Sequence, residues 1–167
     1  CVEGCIEYPY LDSAAQYPHD YIWMYLALVM LACYTVFMVA LNATTAPERR
    51  IFSQIGLAFA LMSALTLIVT YFTQAAVVPI SLMSGETEGI ALFTQYNGHG
   101  IFIALEEIGY LMMSLSFPFY GMAVFSRSRA SSWVFIGAFI LAMVALVGMS
   151  AAWLFAAVAG IRRALYA

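Results

Sequence analysis

The sequence predicts an all-α fold, a polytopic bundle of transmembrane helices, and three observations support that prediction. Of the 167 residues, 65% are hydrophobic and 9% are charged, whereas a soluble domain carries roughly a quarter charged residues. The mean hydropathy is +0.92. The apolar residues fall into runs of about 20 or more, the length that a helix needs to cross a hydrocarbon core. We therefore expect a chain whose main partner is the lipid bilayer.

Four apolar runs predict four crossings, with bounds near 21–41, 51–78, 101–125 and 133–160. Residues 1–20 are polar and broken by two prolines, which predicts an extracytoplasmic arm, and residues 21–167 then form a single bundle. The second run is expected to stop at Pro79, and Ser84 is expected to cap a short interfacial helix over about 85–96. The last run is long for one helix, so a fifth crossing is expected if a segment is missing near 148–152.

Charge and cysteine content exclude several classes of protein. The net charge is -3 and all six basic residues are Arg in three pairs, so no basic surface indicates nucleic-acid binding. The three cysteines form neither a disulfide framework nor a zinc pattern, and no sequence pattern indicates a cofactor. Cys33 is expected to pack inside the bundle. Because the chain begins at Cys1, we expect processing or a missing segment there, with lipidation of Cys1 as the alternative. Separately, Cys1 and Cys5 are expected to be close enough in sequence to form a small loop disulfide.

The arginine pairs predict the orientation, because loops on the cytoplasmic side carry the excess of basic residues. Arg49/Arg50 and Arg127/Arg129 are therefore expected in the cytoplasm, which leaves residues 1–20 and 80–100 outside. Four crossings would place the third pair, Arg162/Arg163, on the outer side. That pair disagrees with the other two.

Two kinds of stripe run along the predicted helices. Polar residues recur at steps of three and four on the second helix, which predicts either hydrogen bonds between helices or the wall of a pocket. They are Ser63, Thr66, Thr70, Thr73 and Gln74. Small residues at four-residue spacing predict close-packed seams on the second and fourth helices. They are Gly56, Ala60 and Ala64, and then Gly148, Ala152, Ala156 and Gly160.

Two adjacent carboxyl groups inside the third helix are the strongest candidates for a site. Glu106 and Glu107 lie roughly 8 to 10 Å from the outer end of that helix at 1.5 Å per residue. A carboxyl group at this depth is costly unless it faces the bundle interior and finds a polar partner. Glu106 shares its face with His99 and Tyr110, so it is expected to point inward, with Gln74, Tyr71 or His99 as its partner. Glu107 is expected to matter less.

The same outer region predicts a cluster of polar side chains where helices one, two and three meet. The candidates for ligand binding or proton exchange are Glu106, His99, Gln74, Tyr71, Tyr110 and Glu107. His19, Asp20 and His99 are weak candidates for metal ligands, since they have the right chemistry but no diagnostic spacing. The alternative is a purely structural role, with a neutral Glu106 stabilising the bundle and interfacial histidines.

Two strings resemble a family of uncharacterised prokaryotic multi-pass membrane proteins for which no activity is known. They are Tyr-Pro-His-Asp-Tyr at 17–21 and Gln-Tyr-Asn-Gly-His-Gly-Ile-Phe-Ile-Ala-Leu-Glu-Glu at 95–107. The resemblance implies a location in the prokaryotic inner membrane. It also implies a further helix before Cys1 and another near the C-terminus, which would remove the conflict over the third Arg pair. Gly98 departs from the proline usual in the family.

Two function classes follow from these residues. The favoured one is a non-enzymatic protein, either a subunit packed with other membrane subunits or a binder of a lipid-like ligand in an outer-leaflet cavity. The alternative is a membrane-embedded enzyme or a proton-relay protein that uses the His and carboxyl cluster.

Overall fold

The computed structural model describes the backbone of residues 6–165 and the side chains of residues 6–148. All regular secondary structure in that range is helical, which confirms the predicted fold class. Four helical stretches within it are long and apolar enough to cross a membrane, at His19–Ala43, Pro47–Met83, Ile101–Val124 and Arg129–Gly148. The chain is therefore a multi-pass integral membrane protein. Cys1 and Cys5, and with them the predicted disulfide and lipidation, lie outside the described residues.

The described residues form six α-helices. They are α1 (Ile22–Ala43), α2 (Arg50–Phe72), α3 (Val78–Met83), α4 (Ile90–Phe93), α5 (Ile101–Val124) and α6 (Arg129–Leu165). Short 3-10 segments precede the first two helices, at Leu11–Gln16 and His19–Tyr21 ahead of α1 and at Pro47–Arg49 ahead of α2. Helix α2 packs against both α1 and α5, and α6 packs against the other side of α5. The bundle is thus centred on the α2–α5 pair.

The α2–α5 contact is close because glycine stands where the two helices meet. A Cβ atom added at Gly56 would lie 2.8 Å from the ring of Tyr120, and one added at Gly109 would lie 2.6 Å from Leu67. Ala60 and Ala64 continue the buried line on α2. The predicted seam of small residues on the second helix is confirmed.

The second predicted seam is wrong where the structure describes it. Gly148 is exposed, and a Cβ atom added there would meet nothing within 4 Å. The side chains of the remaining three seam residues lie outside the described range. The prediction that Cys33 packs inside the bundle is also wrong, because its side chain is exposed.

The second crossing does not stop at Pro79 but continues to Met83 through a π-helical turn at Thr73–Val77. Proline has no N–H to donate to the carbonyl four residues earlier, which belongs to Ala75. The hydroxyl of Tyr25 donates to that carbonyl oxygen instead, at 3.4 Å. The wider turn and this replacement donor let the helix pass a proline that was expected to end it.

The predicted helix over 85–96 is also wrong, since only the single turn α4 is helical there. Ser84 ends α3 rather than capping a new helix, because its N–H donates to the Ile80 carbonyl at 2.9 Å. Gly85 and Gly89 follow with φ values of 78° and 76°. This left-handed conformation suits glycine and breaks the helix on both sides of the acidic loop.

Helix α6 is continuous from Arg129 to Leu165, 37 residues or about 55 Å, with no break near 148–152. It begins four residues earlier than predicted, because the Ser128 hydroxyl accepts a hydrogen bond from the Ser131 N–H at 3.2 Å and caps it. Ser132 Oγ ties this end to α5 by donating to the Gly121 carbonyl at 2.7 Å. Most of the described outer face of α6 is exposed and apolar.

Two of the five side chains in the polar stripe on α2 bond within the helix itself. The Thr66 hydroxyl donates to the Met62 carbonyl at 2.9 Å, and the Thr70 hydroxyl donates to the Thr66 carbonyl at 2.7 Å. The predicted hydrogen bonds between helices are therefore wrong for these two threonines. Back-bonding of this kind is the cheapest way to satisfy a hydroxyl in an apolar helix.

Candidate functional site

A chain of three hydrogen-bonded side chains connects α2 to the N-terminal half of α5. The Tyr71 hydroxyl donates to Glu106 Oε1 at 2.8 Å, and the hydroxyls of Tyr71 and Tyr110 lie 2.8 Å apart. Tyr71 has one proton, so when it donates to Glu106 it accepts from Tyr110. The prediction that Glu106 turns inward and finds a polar partner is confirmed, with Tyr71 as that partner.

Aromatic packing and close helix contact position Tyr71. Its side chain is fully buried. The Trp23 ring meets the Tyr71 ring edge-on, with centroids 5.2 Å apart, and Phe102 lies 6.1 Å away. Gly109 brings α5 against Leu67 on α2, one turn from Tyr71. The hydroxyl that holds Glu106 therefore stands on a rigid part of the bundle.

The other side of the two carboxyl groups opens into a groove between α5 and α6, which we call the carboxyl groove. Its volume is about 400 Å³. Its lining consists of Ile103, Glu106, Glu107, Tyr110, Met113, Ser114 and Phe117 from α5, and Ala142, Ala145 and Leu146 from α6. The groove is polar near Glu106 and Glu107 and mostly apolar along the rest of its length.

Glu107 differs from Glu106 in having no hydrogen-bond or ion-pair partner among the described residues. It stands about 9 Å along α5 from Ile101, where a helix that crosses the bilayer has left the headgroup layer. Sequence reasoning ranked Glu107 below Glu106 because its helix face carries fewer polar residues. The structure places both carboxyl groups on one groove, and Glu107 is the one that has no hydrogen bond within the described part of the chain.

A second polar layer lies nearer the end of the bundle where α1 and α5 begin. The Gln95 N–H donates to Gln74 Oε1 at 3.1 Å, and the Tyr96 hydroxyl donates to Asp20 Oδ2 at 2.8 Å. Burial, together with the hydrogen bond to Asp20, raises the pKa of Tyr96 above its ordinary range. Gln74 was one of the alternative partners expected for Glu106, and its side chain instead accepts from the 94–97 loop.

The histidines do not join the carboxyl groove. His99 is exposed, and its backbone N–H donates to Asn97 Oδ1 at 3.0 Å. His19 and Asp20 line a shallow open depression with Trp23 and Tyr96. Over residues 6–148 no three His, Cys, Asp or Glu side chains stand close enough to hold a metal ion. The weak metal set of His19, Asp20 and His99 is therefore not assembled.

The α6 wall of the groove is the part of the site that sequence reasoning missed. Ala142, Ala145 and Leu146 face α5 across the groove. Their three- and four-residue spacing was a usable signal, because small residues on one helix face leave room beside a neighbouring helix. What the spacing lacked was any indication of which helix they would face.

Comparisons of the chain with models of protein families, with curated proteins and with solved structures find no match. The resemblance to a family of prokaryotic membrane proteins, the orientation and the location in the inner membrane therefore stay predictions. The geometry establishes a multi-pass membrane protein with two carboxyl groups on a groove between α5 and α6.

Proposed function

We propose that this protein binds a lipid-like molecule in the carboxyl groove, with an amine or other hydrogen-bond-donating head group beside Glu106 and Glu107. The apolar chain of the ligand would lie along α5 and α6. This is a non-enzymatic binding role, with the ligand reached from the outer half of the bilayer.

The observation that supports this proposal most is Glu107 at membrane depth with no partner among the side chains of residues 6–148. Removing a carboxyl group from water without a partner costs several kcal/mol, so membrane proteins keep such groups where a ligand, a cation or another polar group meets them. Glu106 already accepts a hydrogen bond from Tyr71. A donor head group between the two carboxyl groups satisfies Glu107 without competing for that bond.

The shape and the lining of the groove favour a chain-bearing ligand over a small polar one. The lining extends from Ile103 to Phe117 on α5, which is about 21 Å of helix. A volume of 400 Å³ lies within the range of small-molecule sites. The two carboxyl groups lie toward one end of this lining, as the head group of an amphipathic ligand requires.

Proton relay is the second candidate, and the hydrogen-bond chain from Tyr110 through Tyr71 to Glu106 favours it. Both links are 2.8 Å long, which is a good distance for proton exchange between oxygens. Tyr71→Phe separates the two candidates, because it breaks the chain but leaves the groove open. Proton uptake into vesicles should fall in this variant under the relay, whereas ligand binding should persist under our proposal. The predicted roles as a subunit or an enzyme have no observation of their own here.

The test of the proposal measures binding of a fluorescent long-chain alkylammonium probe to the protein in uncharged detergent. Glu107→Gln should weaken binding about tenfold, since a hydrogen bond to a charged group contributes about 1.5 to 3 kcal/mol. Glu48→Gln, which removes a carboxyl group at the opposite end of the bundle, should change nothing. A fatty-acid anion of the same chain length should bind poorly.

A pair of α6 variants tests the groove itself. Ala145→Phe fills the groove and should block the probe, whereas Val144→Phe places the same aromatic side chain on the lipid-facing side, where Val144 is 65% exposed. Equal binding by both variants, or equal binding of the alkylammonium and the fatty-acid anion, would contradict the proposal.

A further inference from the structure

A second and larger cavity lies at the opposite end of the bundle, where the α5–α6 turn meets the end of α1. Its volume is about 680 Å³. Three elements supply its walls: the last turns of α1 with residues 44–46, the end of α5, and the first turns of α6. We call this cavity the basic cleft, because Arg127 is its one charged lining residue.

Part of the lining of the basic cleft is apolar. It consists of Phe37 and Leu41 from α1, Ala123 from α5 and Phe135 from α6. Phe135 also packs against the buried cluster of Met38, Ala60 and Tyr120, so this wall is part of the bundle core. An acyl chain could lie along such a surface as readily as along the membrane interior.

The mouth of the basic cleft is polar and carries hydrogen-bond donors. Ser128 Oγ accepts from both the N–H and the hydroxyl of Ser131, at 3.2 and 3.0 Å, which leaves the Ser128 proton free to donate outward. The Arg127 guanidinium has no partner among the described side chains. Its planar fork of N–H groups suits two oxygens of a phosphate.

The charge around the mouth is mostly positive. Four arginines lie in or next to the two short connections at this end, against the single carboxylate of Glu48; they are Arg49, Arg50, Arg127 and Arg129. Two of the four are engaged, since Arg49 donates to the Met122 carbonyl at 3.1 Å and Arg129 lies 5.8 Å from the Phe125 ring centroid. Arg127 is thus a cation that lines the cleft and has no side-chain partner among the residues that the structure describes.

We propose that the basic cleft binds an anionic phospholipid, with the phosphate on Arg127 and Ser128 and an acyl chain against Phe37, Leu41 and Phe135. Apolar walls beneath a cationic mouth match this one class of ligand, because basic pockets between membrane helices at the bilayer surface hold anionic head groups. A free phosphate would use the mouth and leave the apolar walls without a function. This site is separate from the carboxyl groove and does not depend on what that groove binds.

The test is native mass spectrometry of the full chain in uncharged detergent, with phosphatidylglycerol and phosphatidylcholine of the same acyl composition added in turn. We expect phosphatidylglycerol to bind about tenfold more tightly, as two charge-assisted hydrogen bonds allow. Arg127→Gln should remove that preference, and Arg127→Lys should restore part of it. Arg50→Gln is the matched control, since it removes a charge from the same end but not from the cleft, and it should keep the preference.

Three results would overturn the proposal. One is equal binding of the two lipids by the wild-type protein. Another is an equal loss in Arg50→Gln and Arg127→Gln, which would mean that overall surface charge attracts the lipid. The third is full competition by inorganic phosphate at the same concentration, which would assign the cleft to a free anion. Melting of each variant in phosphatidylcholine alone checks that the fold is intact.

Discussion

The carboxyl groove and the basic cleft both lie beside α5 and α6, yet they differ in charge and in how deeply that charge is set. Glu107 and Arg127 are separated by 20 positions along nearly continuous helix, or about 30 Å, which is the thickness of the hydrocarbon core. Glu107 stands inside the helix, about two turns from its start, whereas Arg127 follows the end of α5 and is exposed. One pair of helices therefore offers a negative site within the bilayer and a positive site at its edge.

This difference in depth predicts a difference in sensitivity. The carboxyl groove depends on the buried contact between α2 and α5, where Tyr71 and Gly109 are enclosed by neighbouring side chains. The charged mouth of the basic cleft depends on exposed loop residues and on the buried hydroxyl of Ser132. Changes near the carboxyl groove should therefore cost more stability than comparable changes near the basic cleft.

The largest effect is expected from Gly109→Val. Even a Cβ atom at this position would lie 2.6 Å from Leu67, so the branched side chain must push α5 away from α2. Overpacking of this kind should lower the free energy of unfolding by about 3 kcal/mol. It should also lengthen the Tyr71–Glu106 contact and weaken ligand binding in the carboxyl groove. Denaturation in mixed micelles measures the stability.

Gly137→Ala is the matched control for that variant. A Cβ atom at Gly137 meets nothing within 4 Å, and alanine is the better helix former by about 1 kcal/mol. The free energy of unfolding should therefore rise slightly. A Gly109→Val protein as stable as Gly137→Ala would show that the α2–α5 contact is looser than the structure places it.

A smaller loss is expected from Tyr71→Phe, which removes the hydroxyl shared by Glu106 and Tyr110 but keeps the ring between Trp23 and Phe102. Glu106 then loses its donor, at a cost of about 1 to 2 kcal/mol. Tyr34→Phe removes a comparable hydroxyl bonded to Ser116 at 3.0 Å and leaves no carboxyl group unpaired. It should cost less, and equal losses in the two variants would contradict a special role for Tyr71.

Ser132→Ala tests the basic end of the same helix pair. It removes the hydrogen bond to the Gly121 carbonyl, which already serves the α5 backbone, so the expected loss is about 1 kcal/mol or less. Anionic lipid selectivity should weaken because the α6 end loses its tie to α5. Binding in the carboxyl groove should not change, and parallel loss at both sites would mean that they are coupled.

The smallest effect concerns Tyr96 and its hydrogen bond to Asp20. Its pKa is raised in the folded protein from an ordinary value of 10.0, so this group stabilises the fold fully below pH 10 and progressively less as pH rises through the raised pKa. Tyr96→Phe should lower the melting temperature slightly at neutral pH, and the gap to wild type should close in alkali. If the difference in melting temperature between Tyr96→Phe and wild type widened above about pH 10, the predicted direction of the pH dependence would be wrong.

Much of the fold could be predicted because hydrophobic length alone decides which segments cross a bilayer. The small-residue seam on α2 was also visible, since four-residue spacing marks one helix face. The path around Pro79 was not, because it depends on Tyr25 supplying a donor from another helix. The acidic loop was misread as helix since its glutamates suit a first turn, while Gly85 and Gly89 favour left-handed backbone.

The site was predictable to the extent that one helix determined it. The depth and the inward direction of Glu106 follow from its position on α5 and the cost of exposing a carboxyl group to lipid. The π-helical turn makes Tyr71 rather than Gln74 the hydrogen-bond partner of Glu106, and no local sequence pattern predicts that turn. The sequence alone could not predict that Glu106 and Glu107 share a groove or that Arg127 lines the cleft, because both depend on where α6 packs.

The most direct test of two lipid sites of opposite charge measures both ligands on the same three proteins: wild type, Glu107→Gln and Arg127→Gln. The alkylammonium probe reports the carboxyl groove, and phosphatidylglycerol reports the basic cleft. We predict a reciprocal pattern, in which Glu107→Gln loses about tenfold in affinity for the probe alone and Arg127→Gln loses about tenfold for phosphatidylglycerol alone. Loss of both ligands in either variant, or of neither ligand in both, would contradict the account.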